Sequence, residues 1–501
     1  MNPLYSVAEI RAAERAAAAT LPPGALMQRA GQAGANAALD LLPFATAHAK
    51  VLVLAGPGDN GGDALEVAAH LSFTGAQVTL IHYPPNAASS AERQAALERA
   101  KSSEARFRAA EDANIAGTEW NLVVDGLFGL GLKRPISGAL HTLVETINTL
   151  RCSVLALDVP SGLDADSGCV VGPDGIAVHA THTITFIGNK PGLHTCDGRD
   201  HAGLVDVARL DIDASHFAAA TLHLNEVKFF ARHVRTRRHN SHKGSYGNVA
   251  VIGGAPGMLG APILAARTAI NSGAGRVYAL FVEDPLVADP GQPELMCRAA
   301  QDFDLNLATL VIGPGLGTEA AARALLVKAI ASTSALLADA DALNLMASHA
   351  DLQSALAQRS GAVILTPHPL EAARLLGSTI SAVQTDRLGA ARTLAARLQA
   401  VVVLKGSGTV IAAPNGDAVI NTTGNPALAT AGTGDVLAGL CGTLLAQGWP
   451  EWEAALAAVW LHGMAADVLV TEGCGPIGLT AAELIPAIRT ALNRMNQHHA
   501  R

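Results

Sequence analysis

Short β-branched runs alternate with alanine-rich, helix-forming segments along most of this chain, and that alternation restricts its fold more than any single motif does. In the first half the runs are 51–54, 78–82, 122–124 and 154–157; in the second they are 249–252, 276–282, 309–313, 335–338, 363–366 and 401–404. A strand, a crossover helix and a further strand close into a parallel unit, so each half is expected to be α/β, a parallel sheet with helices on both faces. Residues 214–220, Ala-Ser-His-Phe-Ala-Ala-Ala, interrupt the pattern, and a fresh strand-and-glycine run opens at Val249. The reading is two layered domains, 1–215 and 225–495, and a length of 501 residues suits two hydrophobic cores better than one. Ser6 followed by Glu9 has the form of a capping box opening a first helix, which stops before Leu21-Pro22-Pro23-Gly24; a second helix runs to about Leu41.

Half the residues are hydrophobic and 16% are charged, which favours large cores over extended disorder. The net charge of -8 has the wrong sign for a protein that coats nucleic acid. Arg232, Arg235, Arg237, Arg238 and Lys243 form the richest basic stretch, read as a solvated linker face with a phosphate clamp as the alternative. The six cysteines, Cys152, Cys169, Cys196, Cys297, Cys441 and Cys474, lack paired spacing, which argues against a zinc site or a disulfide framework and for a reducing cytoplasm. The amino terminus lacks a basic region followed by an apolar core, and no apolar run reads as long enough to span a bilayer, so a soluble cytoplasmic protein is expected.

Gly56-Pro57-Gly58-Asp59-Asn60-Gly61-Gly62-Asp63 directly follows a strand and opens a helical pattern. Open α/β sheets bind ligands at the carboxyl ends of their strands. Glycines there let backbone N–H groups approach a phosphate, and the helix N-terminus adds partial positive charge. A plain tight turn would use the same glycines, but it accounts less well for the Asn-Gly-Gly-Asp core. Two more loops follow strands expected to neighbour the first: Asp125-Gly126-Leu127-Phe128-Gly129-Leu130-Gly131-Leu132-Lys133-Arg134-Pro135 and Asp158-Val159-Pro160-Ser161-Gly162-Leu163-Asp164. Each begins with an acid at a strand end, so Asn60, Asp125, Asp158 and Ser161 are expected to share one crevice. Oxygen donors without cysteine or histidine suit a hard cation or a ribose. The bland alternative is that Asp125 and Asp158 cap helices.

With Leu26-Met27-Gln28-Arg29-Ala30-Gly31, these stretches resemble the NAD(P)H-hydrate epimerase family over nearly the whole first domain, which implies a Rossmann-like fold. The resemblance implies that Asp59, Asn60, Gly61, Gly62, Asp63, Gly129, Leu130, Gly131, Leu132, Lys133, Arg134, Pro135 and Asp158 hold a hydrated nicotinamide nucleotide, and that Asn60, Asp125 and Ser161 bind K⁺. Lys190, in Gly188-Asn189-Lys190-Pro191-Gly192-Leu193, keeps the family's lysine, and Asp158 with Lys190 is expected to transfer protons at the hemiaminal carbon. The sequence departs from the family at Asp59, where asparagine is common, and at Ala64, where glycine is.

The sharpest signal in the second half is Asn421-Thr422-Thr423-Gly424-Asn425-Pro426 followed by Ala431-Gly432-Thr433-Gly434-Asp435 at a helix start. Such a turn places N–H donors around a transferring phosphoryl group and a carboxylate beside the attacking hydroxyl. Lys405-Gly406-Ser407-Gly408-Thr409 adds a second glycine-rich loop after a strand. This region resembles the ribokinase-like superfamily and, over roughly 225–490, its NAD(P)H-hydrate dehydratase branch. The stretches that narrow it are His242-Lys243-Gly244, 251–260, Ser272-Gly273-Ala274-Gly275, Gly313-Pro314-Gly315-Leu316-Gly317, Asp339-Ala340-Asp341-Ala342-Leu343-Asn344 and Thr366-Pro367-His368-Pro369. The resemblance implies that Lys405, Gly406, Ser407, Gly408, Thr409 and Gly434 bind an adenine nucleotide, and that Ala261, the turn Gly315 to Gly317, His368 and Asp435 face the substrate. His368 on its own reads as readily as a helix cap. Leu370, Ala427 and Leu428 depart from the family pattern.

Together the resemblances imply a bifunctional repair enzyme that interconverts the R and S forms of hydrated NAD(P)H and dehydrates the S form with ADP and Mg²⁺, giving AMP and phosphate, and that assembles into a homo-oligomer. Asp435 would take the hydroxyl proton as phosphoryl transfer turns hydroxide into a leaving group. Two rivals remain, a kinase that would use the same Gly-Thr-Gly-Asp turn and a sensor that would not need Asp435 in its phosphotransfer position. A small-molecule kinase would need ATP and leave a stable phosphate ester, and a nucleotide sensor would bind without turnover.

Overall fold

The structure, a computed structural model, describes residues 2–42, 46–85 and 90–499. The chain divides into two compact units that meet in sequence between Leu222 and His223.

The amino-terminal unit holds strands β1 (Lys50–Ala55), β2 (Gln77–His82), β3 (Arg106–Arg108), β4 (Leu122–Gly126), β5 (Ser153–Leu157), β6 (His182–Phe186) and β7 (Leu204–Ala208). They form one sheet in the order β3-β2-β1-β4-β5-β6-β7, with parallel pairing throughout. The order reverses direction between β1 and β4, and the crevice beyond their carboxyl ends is where such sheets bind ligands. Alternate residues of a strand face opposite sides. Val51, Val53 and Ala55 therefore pack with Ala64, Leu65 and Ala68 on one face, while Leu52 and Leu54 pack with Val144 and Ile147 on the other. Burial of both faces is what makes β1 a continuous apolar run. The capping box at Ser6 and Glu9 is present and opens the helix Val7–Ala18, and the second helix is Ala25–Asp40.

The carboxy-terminal unit holds β8 (Leu222–Leu224), β9 (Asn248–Gly253), β10 (Arg276–Phe281), β11 (Met296–Ala299), β12 (Thr309–Ile312), β13 (Leu336–Ala338), β14 (Val363–Leu365), β15 (Val401–Leu404), β16 (Val410–Ala412) and β17 (Ala418–Ile420). The sheet order is β11-β10-β9-β12-β13-β14-β15-β16-β17-β8. Pairing is parallel from β11 to β15 and antiparallel from β15 through β17. Here too the order reverses, between β9 and β12. The helices Gly260–Asn271 and Thr433–Ala446 cross so closely that a Cβ on Gly439 would lie 2.1 Å from the Ala265 carbonyl oxygen.

One expectation is corrected. The helix Glu451–Thr471 is 21 residues long and contains an 18-residue stretch with a mean hydropathy of 1.6, which by length and composition is enough to cross a bilayer. The alternation of small alanines with Leu456, Val459 and Leu461 hid it as an apolar run. Those side chains are buried in the core of the unit, with Phe230 and Leu440. The basic stretch is mostly exposed: Arg232 pairs with Glu453, and Arg237 reaches the Gly273 carbonyl and lies 3.9 Å from the Tyr246 ring centre.

Candidate active sites

The glycines after β1 serve the packing first. A Cβ on Gly56 would lie 1.7 Å from the Leu127 carbonyl oxygen, one on Gly61 would lie 1.9 Å from that of Gly56, and one on Gly62 would strike Met27. The loops after β1 and β4 can therefore touch only as backbone. Gly58 faces open space and starts the helix Asp59–Phe73 with no side-chain cap, so the first N–H groups of that helix remain available to a ligand. Ala64, a departure from the family, packs on Gly126 instead of a bulkier neighbour.

A cleft of about 830 Å³ opens over these loops. Its walls include Asp59, Asn60, Asp63, Gly129, Leu130, Gly131, Leu132, Lys133, Arg134 and Asp158, all anticipated from sequence, together with Arg11, Glu14 and Arg15 of the first helix, which were not. Glu14 carried a signal: Val7, Ile10 and Ala17 are buried, and Glu14 continues their helical stripe with a carboxyl group. Gly61, Gly62, Pro135 and Lys190 do not line the cleft.

Lys190 instead lies wholly buried behind Asp158. Its ammonium donates to Asp158 Oδ1, to Thr185 Oγ1 at 2.8 Å and to the Phe186 carbonyl at 2.7 Å. Burial pushes its pKa down, with the Asp158 charge working against that push. Asp158 Oδ1 also accepts the Phe186 N–H at 3.1 Å, and its backbone has φ +67°. This left-handed conformation suits aspartate better than most side chains and is held by the surrounding bonds. Asp63 is pushed well above the ordinary carboxylate range by burial and then by Asp158, Asp59, Glu14 and Glu66. One wall of the cleft thus sets Asp63, whose carboxyl group burial and its acidic neighbours push toward the neutral form, beside Asp158 with the Lys190 side chain bonded behind it.

Beneath this wall, Asp125 is fully buried. It accepts from Ser161 Oγ at 2.7 Å, Ser161 N at 2.8 Å and Leu127 N at 3.2 Å, yet burial still raises its pKa. Asn60 donates to the Leu157 carbonyl at 3.0 Å, while its buried Oδ1 has no hydrogen-bond partner among the described residues. Asn60, Asp125 and Ser161 are therefore an all-oxygen set with a spare acceptor and an undercompensated carboxylate.

In the carboxy-terminal unit, Gly432 (φ +89°) turns the chain into the helix Thr433–Ala446, again without a side-chain cap. Lys405 follows β15, and its Nζ would lie 3.4 Å from a Cβ placed on Gly434. The same ammonium bonds Asp339 Oδ1 at 2.8 Å. Burial opposes its charge, but Asp339, Glu371 and Asp435 outweigh burial and raise its pKa. Asp435 is pushed up to about 6, by burial first and then by Asp339, with Lys405 opposing. Asp339, at the end of β13 and buried, was not assigned a role from sequence although its stretch carried the resemblance; its position directly after a strand was the available signal.

His368 caps the helix Pro369–Leu376. Its Nδ1 accepts the N–H groups of Leu370 and Glu371, and its Nε2 lies 3.2 Å from Glu371 Oε1. The accepting Nδ1 assigns the ring proton to Nε2. Burial lifts Glu371 to about 7, against the charge of Lys405. Gly315 (φ +59°) and Gly317 (φ +74°) fold the turn after β12 onto the loop after β9, and a Cβ on Gly315 would lie 3.3 Å from that of Ala261. Gly317 N–H donates to Asp341 at 2.9 Å. The loop 421–426 is tied down structurally, with Gly424 N–H and Asn425 Nδ2 both donating to Asp467.

Residues 249–489 match the family model described as NAD(P)H-hydrate dehydratase, and residues 23–192 match that described as YjeF-related protein N-terminus. A bifunctional NAD(P)H-hydrate repair enzyme from Coxiella burnetii is 39% identical over 98% of this chain and 100% of its own. An ADP-dependent (S)-NAD(P)H-hydrate dehydratase from Neisseria meningitidis is 45% identical over 52% of this chain and 90% of its own. Among solved structures, an ADP/ATP-dependent NAD(P)H-hydrate dehydratase from Bacillus subtilis, co-crystallised with ATP and Mg²⁺, is 32% identical with a TM-score of 0.47, covering 54% of this chain and 98% of that one.

Proposed function

Because the chain belongs to the family of bifunctional NAD(P)H-hydrate repair enzymes, with epimerase and ADP-dependent dehydratase activities, we propose how its own residues divide that work. The amino-terminal unit interconverts the two forms of the hydrate, and the carboxy-terminal unit dehydrates the S form. The kinase and sensor alternatives would leave the epimerase unit without a role.

The observation that carries the dehydratase reading is the juxtaposition of Asp435, the Lys405 ammonium and the bare helix N-terminus at Gly432 to Gly434. In our reading Asp435 takes the proton from the hydroxyl on the carbon beside the ring nitrogen. That oxygen attacks the β-phosphorus of ADP, and AMP leaves while Lys405 and the helix N–H groups stabilise the transferring charge. The nitrogen lone pair then expels phosphate, and loss of a ring proton restores the dihydronicotinamide. The carboxyls of Asp339, Asp341, Glu371 and Asp435 outnumber the single ammonium of Lys405, a surplus that fits Mg²⁺ bound with the nucleotide. Asp339, Asp341 and Asp435 are the nearest candidates to hold it, and its charge would offset that of the phosphates.

In the epimerase unit, Asp158 is the proton-transfer group at the cleft wall, Lys190 positions it from behind, and Asp63, pushed toward its neutral form by burial and by its acidic neighbours, is the second carboxyl group of that wall. Arg11, Arg15, Lys133 and Arg134 are cations of the cleft available to the dinucleotide phosphates. Asn60 Oδ1, Asp125 and Ser161 suit K⁺, which would balance the buried Asp125 charge and fix the loops that carry Asp158. Assembly into a homo-oligomer and a cytoplasmic setting belong to the same proposal.

The test incubates the protein with both NADH-hydrate isomers, ADP and Mg²⁺, following dihydronicotinamide absorbance and phosphate release. Wild type should restore all the substrate. Asp435→Asn should lower dehydration by roughly 10²–10⁴-fold. Asp158→Asn should consume the S form normally and then slow to the spontaneous rate of isomer exchange. Absence of both signals with wild type would sink the assignment.

A further inference from the structure

The fold brings together two cysteines that the sequence separates. Cys169 and Cys196 lie with their sulfurs 3.2 Å apart, both as thiols, and the Asp197 carboxylate converges on them, all three ligand atoms within 4.8 Å of one another. The expectation that the cysteines are scattered fails here because β5 and β6 pair in parallel, which carries the segments after them to the same side. Those segments are closely joined. A Cβ on Gly168 would lie 2.3 Å from the Thr195 carbonyl oxygen, one on Gly192 would lie 2.6 Å from that of Ala165, and Gly198 N–H donates to Gly168 at 2.9 Å.

We propose that Cys169, Cys196 and Asp197 form a binding site for a soft divalent cation, of the zinc or cadmium class. The donor set is right for it: thiolates select soft metals, and a carboxylate completes three protein ligands with a position left for water. The carboxylate is already oriented, since Asp197 Oδ2 accepts the Val170 N–H at 3.0 Å, and Cys169 N–H is held by Ser167 Oγ at 3.3 Å. All three residues are half-buried, so an ion can enter while the ligands stay supported. Cys196 has φ +53°, an uncommon conformation for cysteine that aims its side chain into the cluster.

The chemistry balances. The two thiols give up their protons to solvent, and M²⁺, two thiolates and one carboxylate leave a complex of net charge −1. With metal–sulfur bonds of about 2.3 Å, a tetrahedral angle needs the sulfurs about 3.8 Å apart, so the pair must open by about half an ångström. A disulfide would require closure by about 1.2 Å. The bound ion would tie the segment following Asp158 to the segment following Lys190, so the site rests on the chain's own geometry and not on the assignment of either activity.

The test is a titration of the full-length, reduced protein with Cd²⁺ alone, followed by thiolate-to-cadmium absorbance in the ultraviolet, and then by Zn²⁺ competition. The expected result is one ion per chain, displaced by Zn²⁺. Cys169→Ser and Cys196→Ser should each weaken binding by more than ~100-fold, and Asp197→Asn by ~10–100-fold, while Cys474→Ser leaves it unchanged. Circular dichroism of each variant separates loss of the site from loss of the fold; should Cys169→Ser unfold, mapping of iodoacetamide protection by Cd²⁺ in wild type gives the same answer. A band that survives both cysteine variants, no band at all, or thiols that vanish as a disulfide before metal is added would each overturn the proposal.

Discussion

Asp435 illustrates how one residue's environment decides its use. A general base must be ionised, and with its pKa at about 6 the dehydration rate should rise with pH through that region. Asp339 contributes to the raised value, and Lys405 opposes it. Asp339→Asn should therefore move the acid limb of the pH–rate profile to lower pH, and should raise KM for ADP because Lys405 loses its 2.8 Å anchor. A purely structural Asp339 would lower activity without moving the limb. Much of this was legible: Asp125 stands at the carboxyl end of β4, and Asp158, Asp339 and Lys405 stand directly after strands, where open sheets display ligands, although Asp339 was given no role. The burial of Lys190 behind Asp158 was not legible, since it depends on Thr185 and Phe186 of β6 supplying its other bonds. Nor was the encounter of Cys169 with Cys196, which no local spacing encodes.

At the scale of elements, the central strands announced themselves and the edges did not. β1, β4 and β5 are buried on both faces and read as apolar runs, whereas β3 is Arg-Phe-Arg, exposed throughout, and β7 has three exposed and two half-buried residues and none buried. β6 is central, but its threonines disguise it; Thr183 bonds the Ala202 carbonyl and Thr185 serves Lys190. The hairpin β16–β17 is short, and although Asn415-Gly416 between its strands is a strong turn signal, runs of three residues were too brief to read as strands. The crevice itself depends on backbone meeting backbone. Gly56→Ala would thrust a methyl group against the Leu127 carbonyl, so thermal unfolding should show a loss of about 1–3 kcal/mol. Epimerase activity should fall while dehydration of the S form persists.

The whole molecule is two cores on one chain. Cutting before β8, so that this strand stays with its sheet, should give two fragments that fold separately. The first should exchange isomers without ADP, and the second should dehydrate the S form and stall. Mixing them should restore full conversion, as absorbance would record; failure of either fragment to act alone would mean that the units need each other. The two-core arrangement also makes the genetics unequal. A missense change that unfolds the first core leaves one isomer still salvageable, whereas one that unfolds the second leaves an isomerase shuffling lesions that nothing clears. In a population of random variants scored by growth under cofactor damage, loss-of-function alleles should therefore map preferentially to residues 223–501, and alleles in the first half should behave as partial.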